Sequence, residues 1–191
     1  SDLLEKFRYK FEFVYHRFDS NLGGIFLVKQ WERCIALTED EEWMMILGDD
    51  DALSEKCIED FYTNLTDINH YSCKVVRVAT IINDEVHQKL STLYTHPILE
   101  KAADFFHRKF TNQTRSSLSE YIFKKSAYEK FGFYNYELAW YADDRAWLEF
   151  SEFKNIYTIN SSYVIFRLSQ ANISRINYKT IEKQKVTLQF F

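Results

Sequence analysis

The run Trp43-Met44-Met45-Ile46-Leu47-Gly48-Asp49-Asp50-Asp51 constrains this chain more than any other, because an apolar stretch stops abruptly in three consecutive carboxylates. Five apolar residues without alternation fit a central parallel strand covered on both faces. Leu53, Cys57, Ile58, Phe61, Tyr62 and Leu65 follow at helical spacing, so strand, acidic turn and helix succeed one another. Three adjacent anions repel, and folding does not require them. At the carboxyl end of a strand in an open α/β sheet, where ligands bind, such oxygen-only ligands suit Mg²⁺ or Mn²⁺. The same triplet also suits a solvated turn whose aspartates cap the next helix.

The flanking sequence repeats this alternation. Leu3 to Phe7 reads as the end of a helix, Phe11-Glu12-Phe13-Val14-Tyr15 as a strand, and Asn21-Leu22-Gly23-Gly24 as a turn. A helix is expected from about Ile25 to Leu37 with Leu27, Trp31, Cys34 and Ile35 on one face, and a strand at Val75–Ala79. The β-α-β-α-β order indicates a mostly parallel sheet with right-handed crossovers. Beyond it, Pro97 can open a helix carrying Leu99, Ala102, Ala103, Phe106 and Phe110. Ser116 to Ser119 precedes Tyr121-Ile122-Phe123, Asp143-Asp144 begins a helix with Trp147 and Phe150 inward, and short strands surround Tyr157 and Val164. The tail from Thr180 to Phe191 sets Ile181, Leu188 and Phe191 beside Lys183 and Lys185, a pattern for packing on its own domain or on a membrane surface.

At 191 residues the chain suffices for one well-cored domain. Its net charge of -4 argues against binding nucleic acid by phosphate neutralisation. No stretch approaches a membrane span and no signal peptide is visible, which favours the cytoplasm. Cys34, Cys57 and Cys73 read as three buried reduced thiols, and the histidines show no ligand spacing. The sequons at Asn64, Asn112, Asn160 and Asn172 read as chance matches.

Taken together, these motifs resemble family 2 glycosyltransferases of the GT-A fold, especially bacterial enzymes of surface-polysaccharide assembly. Asn21-Leu22-Gly23-Gly24 and then Glu42-Trp43 leading into Leu47-Gly48-Asp49-Asp50-Asp51 are similar to that family's N-x-G segment and DXD strand. Ser117-Leu118-Ser119 through Phe123-Lys124-Lys125-Ser126 to Phe131-Gly132-Phe133 is similar to its acceptor-side segment. Asp143-Asp144-x-x-Trp147-Leu148 resembles its ED motif, and Phe166-Arg167 its arginine-bearing strand.

The resemblance implies a metal-dependent, inverting transfer of sugar from a nucleotide-diphosphate donor to a glycan or lipid-linked acceptor. It makes Asp50 the direct ligand of Mn²⁺ or Mg²⁺ with Asp51 supporting, and puts Asp49 near the sugar or ribose. Asn21, Gly23 and Arg167 fall on the donor side, although Arg167 could equally pair with a surface acid. Ser119, Trp140 and Tyr141 fall on the acceptor side, the two aromatics being equally suited to burial. Asp144 matches the catalytic carboxylate and Asp143 stands where the family has Glu; both also suit a helix cap. Many family members have Asp where Gly48 stands, and Ser169 replaces the His often found after the arginine.

The family's first two strand-helix units, with their Pro-Thr-Tyr-Asn-like turn, have no counterpart here. The expectation is therefore a partial GT-A-like domain. Residues 1–82 form the rest of the nucleotide and metal half, 83–175 the acceptor half and 176–191 a tail. Its truncated side would favour a homodimer, and its partners would place it in the cytoplasm or peripherally at the inner face of the membrane. The competing expectation from another class is a noncatalytic carbohydrate-binding or assembly module on the same scaffold.

Overall fold

The computed structural model describes residues 2–170 and 180–190. In chain order its elements are α1 (Asp2–Glu5), α2 (Leu27–Ile35), β1 (Trp43–Met45), β2 (Ala52–Leu53), α3 (Cys57–His70), β3 (Val75–Asp84), β4 (Lys89–Leu90) and β5 (Leu99–Lys101). There follow α4 (Ala102–Phe110), β6 (Tyr121–Lys124), α5 (Lys125–Phe131), α6 (Ala142–Phe150), β7 (Asn155–Leu168) and α7 (Thr180–Phe190). Short 3-10 turns lie at Leu118–Glu120 and Glu137–Ala139.

The α/β class holds, but the mostly parallel sheet does not. The strands run in the order β1-β6-β3-β7-β2, with β4 beside β3 and β5 beside β7. Of the six pairings among described residues, only β3 with β7 is parallel. The reason is β6, which inserts antiparallel between β1 and β3. Strands β1, β3 and β7 therefore all point the same way, and their carboxyl ends share one rim of the sheet.

Helices cover both faces. Val76, Val78, Ile122, Tyr157 and Val164 pack against Cys57, Phe61 and Ile68 of α3. The other face gathers Val75, Tyr121 and Phe123 with α2, α4, α5, α6 and Val186 of α7. Strand β1 feeds both sides alternately, Met44 joining one cluster while Trp43 and Met45 lean on the other. It is an edge strand rather than a central one, and Leu47 beyond it is 41% exposed.

Other local expectations are corrected by pairing. Phe11–Tyr15 forms no strand and is exposed, because no described segment pairs with it. Pro97 opens no helix, since Leu99–Lys101 first pairs with Asn155–Tyr157 and α4 starts only at Ala102. Its buried face is Ala102 and Phe105. The two short strands expected near Tyr157 and Val164 are one strand, with a register jump where Ile159 faces Val78 and Tyr163 faces Ala79. Asp60 of α3 pins this bulge by accepting hydrogen bonds from Ser161 and Ser162 at 2.8 and 2.7 Å. The boundary drawn at residue 82 falls inside β3.

On α2 the inward face is Val28, Trp31 and Ile35, which turns Cys34 outward; only Cys57 and Cys73 are buried thiols. In α7 Val186 is buried and Ile181 and Leu188 are exposed, while Phe191 and the sequon at Asn172 lie outside the described residues. Among described residues no helix is long and apolar enough to cross a membrane.

A charged group is buried on the α4 side of the sheet. Arg77 is fully buried, donates to Glu100 Oε2 at 2.9 Å and Thr158 Oγ1 at 3.0 Å, and lies over the Phe105 ring. Arg108 closes the group by donating to Glu100 Oε1 at 2.7 Å. Burial, then the charges of Arg77, Arg108 and Arg115, pushes the neighbouring His96 down to about 3.

Trp147 is the hub of the larger core. It is fully buried, stacks on Tyr121 with ring centroids 4.2 Å apart and meets Phe123, Phe133 and Phe150. Trp147→Ala should lower unfolding stability by about 3–5 kcal/mol, read from urea denaturation followed by far-ultraviolet circular dichroism.

Candidate functional site

Residues 46–51 must carry the chain from β1 at one edge of the sheet to β2 at the other. Four strand spacings amount to roughly 19 Å, and the seven steps from Met45 to Ala52 reach at most about 25 Å. The segment is therefore drawn across the rim formed by the carboxyl ends of β3 and β7. Two hydrogen bonds tie it down on the way. The Gly48 amide donates to Ser119 Oγ at 3.0 Å just before β6, and the Arg167 amide donates to Asp51 Oδ1 at 3.0 Å near the end of β7. Between them Asp51 N closes a turn on Gly48 O at 3.2 Å.

The crossing leaves a hollow of about 600 Å³ lined by Asp49, Asp50, Glu85, Val86, Arg167, Ser169 and Gln170. Its walls come from the ends of all three same-direction strands, the position at which open α/β sheets bind ligands. Arg167 Nε donates to Glu85 Oε1 at 2.6 Å. This hydrogen bond and the charges of Glu85, Asp50 and Asp49 raise the guanidinium above its ordinary pKa. Asp51 is not in the wall. It turns back toward Gly48, where an added Cβ would stand 3.0 Å from Asp51 Oδ2 and 3.4 Å from Asp50 Oδ1. Glycine at 48 thus leaves the room that two of the aspartates use.

A second hollow, of about 320 Å³, is lined by Lys109, Phe110, Asn112, Ser116, Trp140, Tyr141, Asp143 and Asp144. The chain enters it through a contorted turn, with Leu138, Ala139 and Tyr141 all at positive φ (60°, 53° and 64°). Three non-glycine residues in that region within four positions store strain of the kind found at binding sites. Tyr141 occupies the N-cap of α6, so neither aspartate is the cap. Asp144 is 3% exposed; its Oδ2 accepts from Lys109 Nζ, and its Oδ1 is buried with no protein partner. Burial would pull the Lys109 ammonium down, but Asp144 and Asp143 hold it above its ordinary pKa. Burial, reinforced by the Asp144 charge, pushes Asp143 well above the usual carboxylate range.

The stretch Arg115–Glu120 separates the two hollows. Ser119 braces the acidic crossing, while Ser116 faces the second hollow with its Oγ 3.0 Å from the Tyr121 hydroxyl. Glu120 is fully buried, paired with Arg115 and bonded by Ser117 Oγ at 2.8 Å.

The structure therefore groups Asp49, Asp50 and Arg167 in one hollow and Trp140, Tyr141, Asp143 and Asp144 in the other. Ser119 lines neither and acts as a brace. Asn21 and Gly23 line neither as well: Asn21 Oδ1 accepts from the Gly23 amide at 2.8 Å, which closes their own turn. Glu85 and Lys109 were not singled out by sequence. Glu85 follows a strand longer than its apolar run suggests, and nothing in the sequence marks Lys109 among the basic residues that end α4.

Two carboxylates of the acidic triplet, Asp49 and Asp50, reach the first hollow, and no group of three Asp, Glu, His or Cys among the described residues is arranged to hold a metal ion. The donor set fits a hard cation held by one or two carboxylates and completed by substrate oxygens and water, not a closed protein cage. Comparison with models of known protein families gives no match, and comparison with curated proteins gives none either.

The position of Asp143 makes a pH prediction. Its folded pKa lies above the ordinary 3.8, so its contribution to stability is complete below that value and is lost as the pH rises through the folded pKa. Asparagine stays neutral throughout. The melting temperature of Asp143→Asn relative to the native chain should therefore rise between about pH 4 and about pH 8, as measured by thermal denaturation at both.

Proposed function

We propose that this chain acts as a GT-A-like glycosyltransferase, moving a sugar from a nucleotide-diphosphate donor to a hydroxyl of a glycan or lipid-linked acceptor with inversion. One observation carries the reading. An acidic hollow containing an arginine lies across a single short segment from an aromatic-walled hollow that holds a buried carboxylate.

The first hollow suits the donor diphosphate. Arg167 can turn from Glu85 to phosphate oxygens, a pairing that guanidinium geometry favours. Asp50, with Asp49 beside it, would hold Mn²⁺ or Mg²⁺. Such an ion, when bound, offsets the negative charge that builds on a departing diphosphate. Asp51 serves by fixing the crossing through its bond to the Arg167 amide.

In the second hollow Trp140 and Tyr141 offer apolar faces to a sugar ring. The acceptor hydroxyl gives its proton to Asp144 while its oxygen bonds to the anomeric carbon. The bond from that carbon to the phosphate oxygen breaks as this happens, and its electron pair leaves with the nucleoside diphosphate. Attack opposite the leaving group inverts the carbon.

Two variants separate these roles. With Mn²⁺ and a panel of nucleotide-sugars, Asp50→Asn should weaken donor binding and turnover together. Asp144→Asn should preserve donor affinity and cut nucleoside diphosphate release by roughly 10²–10⁴. If native chain neither binds nor cleaves any donor yet binds free oligosaccharide, the noncatalytic carbohydrate-binding module is the correct reading.

A further inference from the structure

Asp144 has two oxygens in different surroundings, and Lys109 makes the difference. Lys109 sits in the last turn of α4 and Asp144 in the first turn of α6, so the contact joins two helices. The Lys109 side chain is 21% exposed and that of Asp144 only 3%. A carboxylate this buried is costly unless a cation and hydrogen bonds compensate it. Lysine compensates one oxygen. Oδ1 has no protein partner, although Asp144 lines the second hollow.

We infer that Lys109 is a positioning residue for the proposed transfer: by binding Oδ2 it fixes the carboxylate and leaves Oδ1 as the oxygen that takes the acceptor proton. The inference rests on Asp144 being the base. The choice of lysine is part of it. An ammonium is a point charge that satisfies one oxygen, whereas a guanidinium fork tends to engage both oxygens of a carboxylate.

The other groups around the pair do not take over this role. Asp143 on the same turn is a carboxyl that burial and the Asp144 charge push above its usual range, so it supplies no positive charge to Oδ2. From β6 comes the neutral Tyr121 hydroxyl, which burial pushes above its ordinary pKa. Tyr141 lies under the ammonium, its ring centroid 5.6 Å from Nζ. On α7, Lys183 is placed over the Trp140 ring, 4.6 Å from its centroid. A purely structural ion pair between α4 and α6 would also favour the ionised Asp144, but it would tolerate any cation at position 109, so the turnover of Lys109→Arg is the readout that separates the two.

The test uses the full chain and needs no substrate. With ¹³C-labelled aspartate carboxyls and Asp144→Asn for assignment, the Asp144 resonance is followed against pH in native protein and in Lys109→Met. The midpoint should rise by at least about one pH unit in Lys109→Met. An unchanged midpoint overturns the inference. Should Lys109→Met fail to fold, the reciprocal measurement decides: the ¹⁵N-labelled Lys109 ammonium should titrate at lower pH in Asp144→Asn than in native protein, and an equal or higher midpoint overturns the inference. A second arm measures nucleoside diphosphate release from UDP-sugars with Mn²⁺. Lys109→Arg, which keeps the charge, should reduce release at least about tenfold, whereas full retention means that lysine is only a structural partner. If Asp144→Asn itself releases product normally, the base assignment fails instead, whatever the titrations show.

Discussion

The short segment between β1 and β2 governs this structure. It must reach from one edge of the sheet to the other in six residues, so it has little slack to lie anywhere except across the carboxyl ends of β3 and β7. Its three aspartates are thereby carried to the rim where Glu85 and Arg167 also end. The electrostatic repulsion within the triplet is met by unequal placement. Asp51 is drawn back onto the Arg167 amide and into the space beside Gly48, while Asp49 and Asp50 remain at the hollow. The brace from Ser119 fixes the other end of the crossing. Position and charge at this rim thus follow from chain length and connectivity as much as from side-chain chemistry.

The two hollows handle charge differently. At the rim, Glu85 and Arg167 are both substantially exposed, so water and salt screen their attraction and the pair can exchange partners readily. Around Asp144 the walls are aromatic and the carboxylate is nearly sealed, so each charge there acts with little screening. The Arg77, Glu100 and Arg108 group is buried as well, yet its hydrogen bonds run between β3, β5 and α4. It holds the sheet to the helix that carries Lys109 and thereby sets where that ammonium can reach.

Features that depend on neighbours in sequence were legible from it. The acidic triplet after an apolar strand, the helix α3 and the inward Trp147 and Phe150 of α6 are all set by local pattern. What stayed hidden depends on distant partners. The antiparallel insertion of β6 between β1 and β3 leaves no trace in either strand's composition, so the sheet read as parallel. Strand β5 is three residues long, and only its pairing with Asn155–Tyr157 makes it a strand. The alternation at Phe11–Tyr15 is a genuine strand signal, but with no partner among the described residues it forms no ladder. Ser119 was expected at the acceptor because it lies beside the right motif. Its actual task, holding Gly48, depends on an approach across 71 positions of sequence. Lys109 joins the site only through the packing of two helices.

The parallel pairing of β3 with β7 also has a consequence in time. Strands β3 and β7 make the longest ladder in the sheet, yet Val76 and its partner Tyr157 are about eighty positions apart. Closing so large a loop is entropically slow and comes late in folding. Until it closes, the rim has no Arg167 to anchor Asp51, and the bulge has no Asp60 contact to set its register. A chain emerging from the ribosome would have made its acidic triplet long before it could shape a site from it. During that interval the apolar edge of β3 is exposed, which makes the same strand both the support of the finished site and the point at which misassembly would begin.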